Sequence, residues 1–195
     1  VGATVSGIGR TPVGRLDARL RRLLDAYVPV ADLASPVAIA DAARDLARGR
    51  PVDLLETGDE ALVLPVAQAR ATLGLPGLSV RSATLCRDKA AMKDALRAAG
   101  VPCAASAAVA SLDAARHFAE REGFPVIVKP RSALGGLGTS RADDAAQLEE
   151  AARRLGVDRG ASVQLEEFVE GHEGFYDTLA LDGRPVHEFV AHYYP

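Results

Sequence analysis

Gly123–Thr139, GFPVIVKPRSALGGLGT, is the stretch that decides how this chain folds. Val126, Ile127 and Val128 are β-branched and continuous, which is typical of a strand covered on both faces, and a proline stands at each end. Side chains alternate along a strand, so Lys129 points to the same side as Ile127, where its ammonium requires an anion or a path to water. The stretch therefore predicts a buried strand that carries a cation into a loop.

The loop after this strand contains three glycines, Gly135, Gly136 and Gly138. Glycines let backbone N–H groups converge on an anion because no Cβ blocks the approach. The spacing matches neither a P-loop, which requires Lys-Ser or Lys-Thr after its last glycine, nor the G-x-G-x-x-G dinucleotide loop. The pattern indicates a phosphate-binding loop, and the alternative is an ordinary turn after a core strand whose lysine reaches solvent.

The composition limits the classes of function. The chain has 195 residues, 48% of them hydrophobic and 25% charged, which suits one large or two small globular domains. A formal charge of -3 and few aromatic residues argue against a nucleic-acid partner, and no apolar run approaches membrane-spanning length. Cys86 and Cys103 lack metal-ligand spacing and are expected to be buried thiols in a reducing compartment, so we expect a cytoplasmic protein.

The residues before Asp88 alternate between predicted strands and helices. Ser35 followed by Pro36 marks the start of a helix, and alternating strands and helices predict a parallel sheet. We place a domain boundary between a small α/β domain over 1–87 and a second domain over 88–195. The predicted strands of the first domain are Ala3–Ile8, Tyr27–Val30 and Val52–Leu55.

Asp88 and Lys89 open a predicted amphipathic helix that ends at Gly100. Asp88 is a suitable N-cap, whereas a lysine in the first turn is unfavourable beside the positive end of the helix dipole unless an anion binds there. The alternative is a solvated lysine paired with a neighbouring carboxylate. The further predicted elements are helices at Ser111–Glu122 and Asp143–Leu155, a strand at Ala161–Val169, and a hairpin of Glu173–Asp182 with Val186–Tyr193.

The four histidines do not indicate a metal site. His187 and His192 are an odd number of residues apart on one predicted strand, so their side chains face opposite ways and cannot bind one ion together. His117 lies in a predicted helix and His172 in a turn. Cys103 has no evident base for nucleophilic catalysis. We therefore expect no metal site in this chain and assign no catalytic residue.

The order of the motifs resembles the ATP-grasp superfamily. The succession is Asp88-Lys89 at a helix start, the strand and lysine of Phe124–Pro130 before the glycine loop, and EEFVEGHE at Glu166–Glu173. The resemblance covers Asp88 to the end, and the preceding segment looks like the small domain that precedes the grasp in carboxylate–amine ligases. It implies an α/β fold: a small parallel-sheet pre-ATP-grasp domain, lacking its first strand and helix, then the α+β small lobe and the start of the large lobe.

The resemblance also implies which residues bind nucleotide. The two lysines would hold the phosphates beneath the flexible loop of Ser132–Thr139. Glu166, Glu167 and Val169 would meet adenine, mainly through the backbone, and Glu173 would accept the ribose hydroxyl groups. Without the upstream motifs, a solvated acidic strand end would be the favoured interpretation of these glutamates. The complete set is Lys89, Lys129, Ser132, Gly135, Gly136, Gly138, Thr139, Glu166, Glu167, Val169 and Glu173.

The implied activity is that of an ATP-dependent ligase, which activates a carboxylate as an acylphosphate for attack by an amine or thiol. The implied partners are ATP, Mg²⁺ and a small carboxylate with its amine or thiol acceptor; a homo-oligomer is compatible, and neither nucleic acid nor membrane is expected. The acidic Mg²⁺ ligands are expected beyond Pro195, so we expect this chain alone to be inactive. One alternative is a module that senses nucleotide without turnover, and a dinucleotide-binding oxidoreductase is disfavoured because no G-x-G-x-x-G follows the early strands.

Overall fold

The structure is a computed structural model, and it describes residues 2–131, 137–181 and 183–193. The chain forms two compact units, Val1–Val101 and Pro102–Pro195. The helix that follows Asp88 belongs to the first of them. The domain boundary expected between residues 87 and 88 stays a prediction.

The first unit combines a pair of strands with several helices. Its β1 and β2 pair in parallel, as the alternation of elements predicts, with Ser6 opposite Ala26. Ser35 caps α2 by accepting a hydrogen bond from the backbone N–H of Ala38, and Pro36 occupies the first turn, as predicted. The elements are β1 (Ser6–Gly9), α1 (Ala18–Leu23), β2 (Ala26–Pro29), α2 (Pro36–Ala47), α3 (Val63–Leu73), α4 (Val80–Arg87) and α5 (Lys89–Ala98).

The strand predicted at Val52–Leu55 is wrong, because these residues form no strand. Leu55 packs against the apolar cluster that contains Ile39 and Val66. Its carbonyl accepts a hydrogen bond from Arg70 Nη1 at 2.8 Å, and the Arg70 side chain is buried. A buried guanidinium thus takes a backbone acceptor that strand pairing would otherwise have used.

The second unit contains a four-stranded antiparallel sheet and a hairpin. The strand order in the sheet is β3-β6-β4-β5, while β7 and β8 form a sheet of their own. The helices, the strand and the hairpin predicted after residue 110 are confirmed, with small shifts at their ends. The elements are β3 (Ser106–Val109), α6 (Leu112–Glu122), β4 (Val126–Pro130), β5 (Ser140–Ala142), α7 (Ala145–Arg154), β6 (Val163–Glu167), β7 (Gly174–Leu181) and β8 (Arg184–His192).

One face of the four-stranded sheet is apolar. Val126 and Val128 of β4 are fully buried, and they share a core with Phe118 of α6 and Leu148 of α7. Ile127 lies between the two valines but is only partly buried. Full burial of alternate residues shows that β4 is completely covered on one face only. The continuous apolar run had predicted a strand that is covered on both faces.

The other face of the sheet carries polar side chains. Lys129 lies opposite Gln164 in the pairing of β4 with β6, and Ile127 lies opposite Glu166. Directly opposed residues share a face of a sheet, so these four side chains lie together. The β3 and β5 residues opposed to them complete this polar face, which consists of Ser106, Ala108, Ile127, Lys129, Arg141, Gln164 and Glu166.

The hairpin of β7 and β8 carries aromatic contacts. The ring centroid of Phe175 lies 5.9 Å from that of Phe189 and 5.6 Å from that of Tyr193. The hydroxyl of Tyr176 donates a hydrogen bond to Glu188, and this bond raises the pKa of Tyr176. These cross-strand contacts stabilise the pairing.

The composition led to expectations about the cysteine thiols and about membrane-spanning segments. Cys86 is exposed and Cys103 only partly buried, so the prediction of buried thiols is wrong. The physical reason for Cys86 is that α4 buries only Ala83 completely. Among the residues described, no helix combines the length and apolar character needed to cross a bilayer.

Candidate functional site

The polar face brings Lys129 into contact with Glu166. The two residues are not directly opposed, because Lys129 pairs with Gln164 and Glu166 pairs with Ile127. The Lys129 side chain crosses diagonally, and its Nζ lies 2.7 Å from Glu166 Oε2. The predicted orientation of Lys129, on the side of Ile127, is therefore confirmed.

This ion pair is largely withdrawn from water. The Lys129 side chain is 20% exposed and the Glu166 side chain 11%. Burial of a charge is costly unless the charge is paired and hydrogen-bonded, so each group requires a partner of opposite sign here. Phosphate oxygens can take the place of a carboxylate beside an ammonium, because both are anionic acceptors. The polar face can therefore bind an anion through Lys129, and in this structure the carboxylate of Glu166 occupies that role.

The described end of the loop after β4 favours glycine at one position. Gly138 has a φ of 77°, and a Cβ on it would lie 3.0 Å from Pro130 Cγ. The positive φ and the close approach both disfavour any side chain there. Thr139 is exposed beside it. The predicted loop residues Ser132, Gly135 and Gly136 lie outside the described residues.

The segment after β6 is held by backbone hydrogen bonds. The N–H of Glu167 donates to the carbonyl of Ala105 at 2.9 Å, and the N–H of Phe168 donates to the carbonyl of Pro125 at 3.3 Å. Val169 follows with 62% of its surface exposed. A backbone segment whose polar groups are open to a ligand offers one donor and one acceptor per residue, which are the groups that adenine recognition requires.

Glu173 and Lys89 lie outside the sheet. Glu173 is exposed and immediately precedes β7. Lys89 is the first residue of α5, and Asp88 caps this helix by accepting hydrogen bonds from two backbone N–H groups of the first turn, as predicted. Lys89 belongs to the first compact unit, whereas Lys129 belongs to the second.

Sequence reasoning missed two residues of the polar face. The guanidinium of Arg141 lies 4.4 Å from the ring centroid of Phe168, a cation–π contact that fixes the segment after β6 against β5. Gln164 is 1% exposed and faces the same side as Glu166. The alternation in Val163–Glu166, VQLE, contained the signal for Gln164, since it pairs a lone amide with the glutamate two residues later.

The described ranges contain no group of three His, Cys, Asp or Glu side chains arranged to hold a metal ion. The residues at hand therefore do not fit a Mg²⁺ site. They fit an anionic group such as a phosphate better, because the polar face carries the ammonium of Lys129.

This chain is similar to several proteins of known function or structure. Residues 88–173 match the family described as carbamoyl-phosphate synthase L chain, ATP binding domain. Phosphoribosylamine–glycine ligase of Allochromatium vinosum is 37% identical over 150 residues, which are 73% of this chain and 35% of that protein. The L-amino acid ligase of Bacillus licheniformis has a TM-score of 0.72 at 21% identity, over 97% of this chain and 50% of that one. N5-carboxyaminoimidazole synthetase of Staphylococcus aureus, solved with ADP, has a TM-score of 0.71 at 15% identity. The match covers 97% of this chain and 47% of that one.

The similarity to the ATP-grasp superfamily that the order of the motifs predicts is confirmed, because residues 88–173 match a family of ATP-binding domains and the structural neighbours are ATP-grasp ligases. The matched segment begins at Asp88 and ends at Glu173, so it contains both predicted phosphate lysines and the segment after β6. The two solved structures show that the fold is shared. The chain spans about a third of the curated ligase, at 35%, and about half of each solved structure.

Proposed function

We propose that this chain is the nucleotide-binding part of an ATP-dependent ligase that activates a carboxylate as an acylphosphate for attack by an amine or thiol. The observation that carries the proposal is the Lys129–Glu166 pair on the polar face, within the segment that matches an ATP-binding domain. The Allochromatium relative is a ligase, and the Staphylococcus neighbour binds ADP, which supports a ligase that uses ATP.

The proposed binding roles follow the sequence prediction. Lys129 and Lys89 would hold phosphate oxygens, and the glycine-rich loop would lie over the phosphates. The backbone of Glu166–Val169 would meet the edge of adenine, and Glu173 would accept the ribose hydroxyl groups. Support comes from the exposed position of Val169 and from the polar face formed by β4 and β6.

The proposed chemistry proceeds in two transfers. A carboxylate oxygen attacks the γ-phosphorus of ATP, the bond from that phosphorus to ADP breaks, and an acylphosphate forms. The amine or thiol then attacks the acyl carbon, phosphate leaves with the electron pair of the broken bond, and the nucleophile gives up its proton. The contribution of Lys129 is to position the phosphates and to neutralise part of their charge. Mg²⁺, when bound, would neutralise further charge on the phosphates.

The wider setting is part of the same proposal. It comprises a small α/β domain over 1–87, an ATP-grasp domain that starts at residue 88, and a cytoplasmic enzyme that is compatible with a homo-oligomer. Its substrates are ATP and a small carboxylate with an amine or thiol acceptor. The absence of activity in this chain alone stays a prediction.

Trapping of the acylphosphate tests the proposed reaction. The full-length protein is incubated with ATP, MgCl₂, a panel of small carboxylates and hydroxylamine, which converts an acylphosphate into a hydroxamate. We expect one or more carboxylates to stimulate ADP release and to give a hydroxamate in equal amount. Binding of ATP without any carboxylate-dependent ADP release would favour a nucleotide-sensing module.

Glu173→Gln is expected to reduce the preference for ATP over 2′-deoxy-ATP. A carboxylate accepts hydroxyl hydrogens through charge-assisted bonds, which are roughly twice as strong as neutral ones. A loss of about 1 kcal/mol would lower the affinity ratio roughly fivefold, as measured by calorimetric titration of both nucleotides.

Glu170→Gln is the matched control for this prediction. It removes the same charge from an exposed position three residues earlier, and we expect it to leave the ratio unchanged. A ratio that stays at the wild-type value in Glu173→Gln would indicate that Glu173 is only a solvated side chain.

A further inference from the structure

Gln164 is a buried polar residue whose placement is unfavourable for the fold alone. It is 1% exposed, and its carboxamide oxygen has no hydrogen-bond partner within the described ranges. Its neighbours Val163 and Leu165 are fully buried on the apolar face. A buried carbonyl without a donor reduces stability, whereas leucine would fill similar space without that cost. A role in function, as opposed to a role in stability, would explain why an amide occupies this position.

The position of Gln164 relative to Lys129 indicates what that function is. The two residues are directly opposed across β4 and β6, so their Cβ atoms are about 4.5–5.5 Å apart. Lys129 nevertheless leans toward Glu166, which is opposed to Ile127. The glycine-rich loop leaves β4 at the other end of the strand, after Pro130. An ammonium that moved from Glu166 toward this loop would pass over Gln164.

We infer that Gln164 positions Lys129 for the nucleotide: its carboxamide oxygen accepts a hydrogen bond from the Lys129 ammonium once phosphates draw that ammonium away from Glu166. This inference rests on the proposed function, since it requires phosphates at the loop end of β4. An ammonium has three donors, so Lys129 can hold a phosphate oxygen and Gln164 together.

The neutrality of the amide suits this role. A carboxylate at position 164 would hold the ammonium more strongly, but it would also repel the phosphates. A hydrocarbon side chain would offer no acceptor, and the ammonium would remain with Glu166. Glutamine therefore provides a second hydrogen-bond acceptor for the Lys129 ammonium without adding negative charge to an anion site.

Gln164→Leu in the full-length protein tests the inference with two readouts of opposite sign. We expect about tenfold weaker binding of ATP and ADP in calorimetric titrations, with adenosine affinity unchanged. We also expect the thermal midpoint to rise by about 2–4 °C, because an apolar side chain replaces an amide whose oxygen has no donor among the described residues. A purely structural glutamine would not lower nucleotide affinity in a more stable protein. Gln164→Met, of similar length and flexibility, serves if the leucine variant does not fold.

A double-mutant cycle tests whether Gln164 acts through Lys129. In a Lys129→Met background, Gln164→Leu is expected to leave ATP affinity unchanged. A tenfold loss that persists in this background would show that Gln164 contacts the nucleotide directly and would overturn the positioning role. If wild type binds ATP and Gln164→Leu binds it equally well, the inference fails while the proposed function stands. If wild type does not bind ATP, the proposed function itself fails.

Discussion

Lys129→Ala is expected to weaken the binding of ATP and ADP by about tenfold to a hundredfold, with little change for adenosine. A hydrogen bond to a charged group contributes about 1.5–3 kcal/mol, and each 1.4 kcal/mol is about a factor of ten in affinity. Adenosine lacks phosphates, so it does not depend on an ammonium that binds them. Calorimetric titration of the full-length protein with the three ligands measures the selectivity. Lys89→Ala is expected to show the same selective loss.

The controls for Lys129→Ala separate phosphate binding from stability. Removal of Lys129 leaves the largely buried carboxylate of Glu166 without this partner. The double variant Lys129→Met with Glu166→Gln removes both charges, and we expect the same selective loss. Arg153→Ala removes one positive charge from α7, where Arg153 pairs with Glu149 at 2.6 Å, and should not affect selectivity. Equal losses for ATP and adenosine in Lys129→Ala would contradict a phosphate role.

Phe118→Ala is expected to lower the free energy of unfolding of the second unit by about 3–5 kcal/mol. Its ring is 2% exposed and belongs to the core between the sheet and the helices α6 and α7. Truncation removes buried apolar surface and leaves a cavity in the layer that supports the polar face. Denaturant unfolding measures the loss, and amide hydrogen exchange in α6 locates it in this unit.

His117→Ala is the matched control for the core substitution. His117 is the preceding residue of α6, and its side chain is 77% exposed. A surface substitution of this kind changes stability by about 0.5 kcal/mol or less. If Phe118→Ala lowered the free energy of unfolding no more than His117→Ala does, the placement of Phe118 in the core beneath the sheet would be contradicted.

Local signals made parts of both units predictable. The alternation around Ile127 and Lys129 predicted the side to which the lysine points, and the β4–β6 pairing confirms it. The cap at Asp88 was predictable because one polar residue before a helix satisfies its first N–H groups. Elements with a clear apolar period or a clear cap depend little on distant residues, so their own sequence is sufficient to predict them.

The errors arose where distant contacts decide the structure. Val52–Leu55 has strand propensity, but the carbonyl of Leu55 accepts a hydrogen bond from Arg70, and no local pattern signals that contact. The partner of Lys129 was also beyond prediction, because Glu166 reaches it only through the pairing of strands that are far apart in sequence. Gln164 was recognisable as a lone amide in an apolar strand, but its lack of a donor among the described residues depends on the packed structure.

Protection of lysines from an amine-reactive reagent tests most directly whether the polar face binds nucleotide phosphates. The chain has three lysines, Lys89, Lys93 and Lys129, whose modification mass spectrometry can follow separately in the full-length protein. Saturating Mg-ADP is expected to remove most of the reactivity of Lys129, whereas adenosine at saturation should protect it far less. Unchanged reactivity of Lys129 at an ADP concentration that calorimetry shows to be saturating would contradict the phosphate site on the polar face.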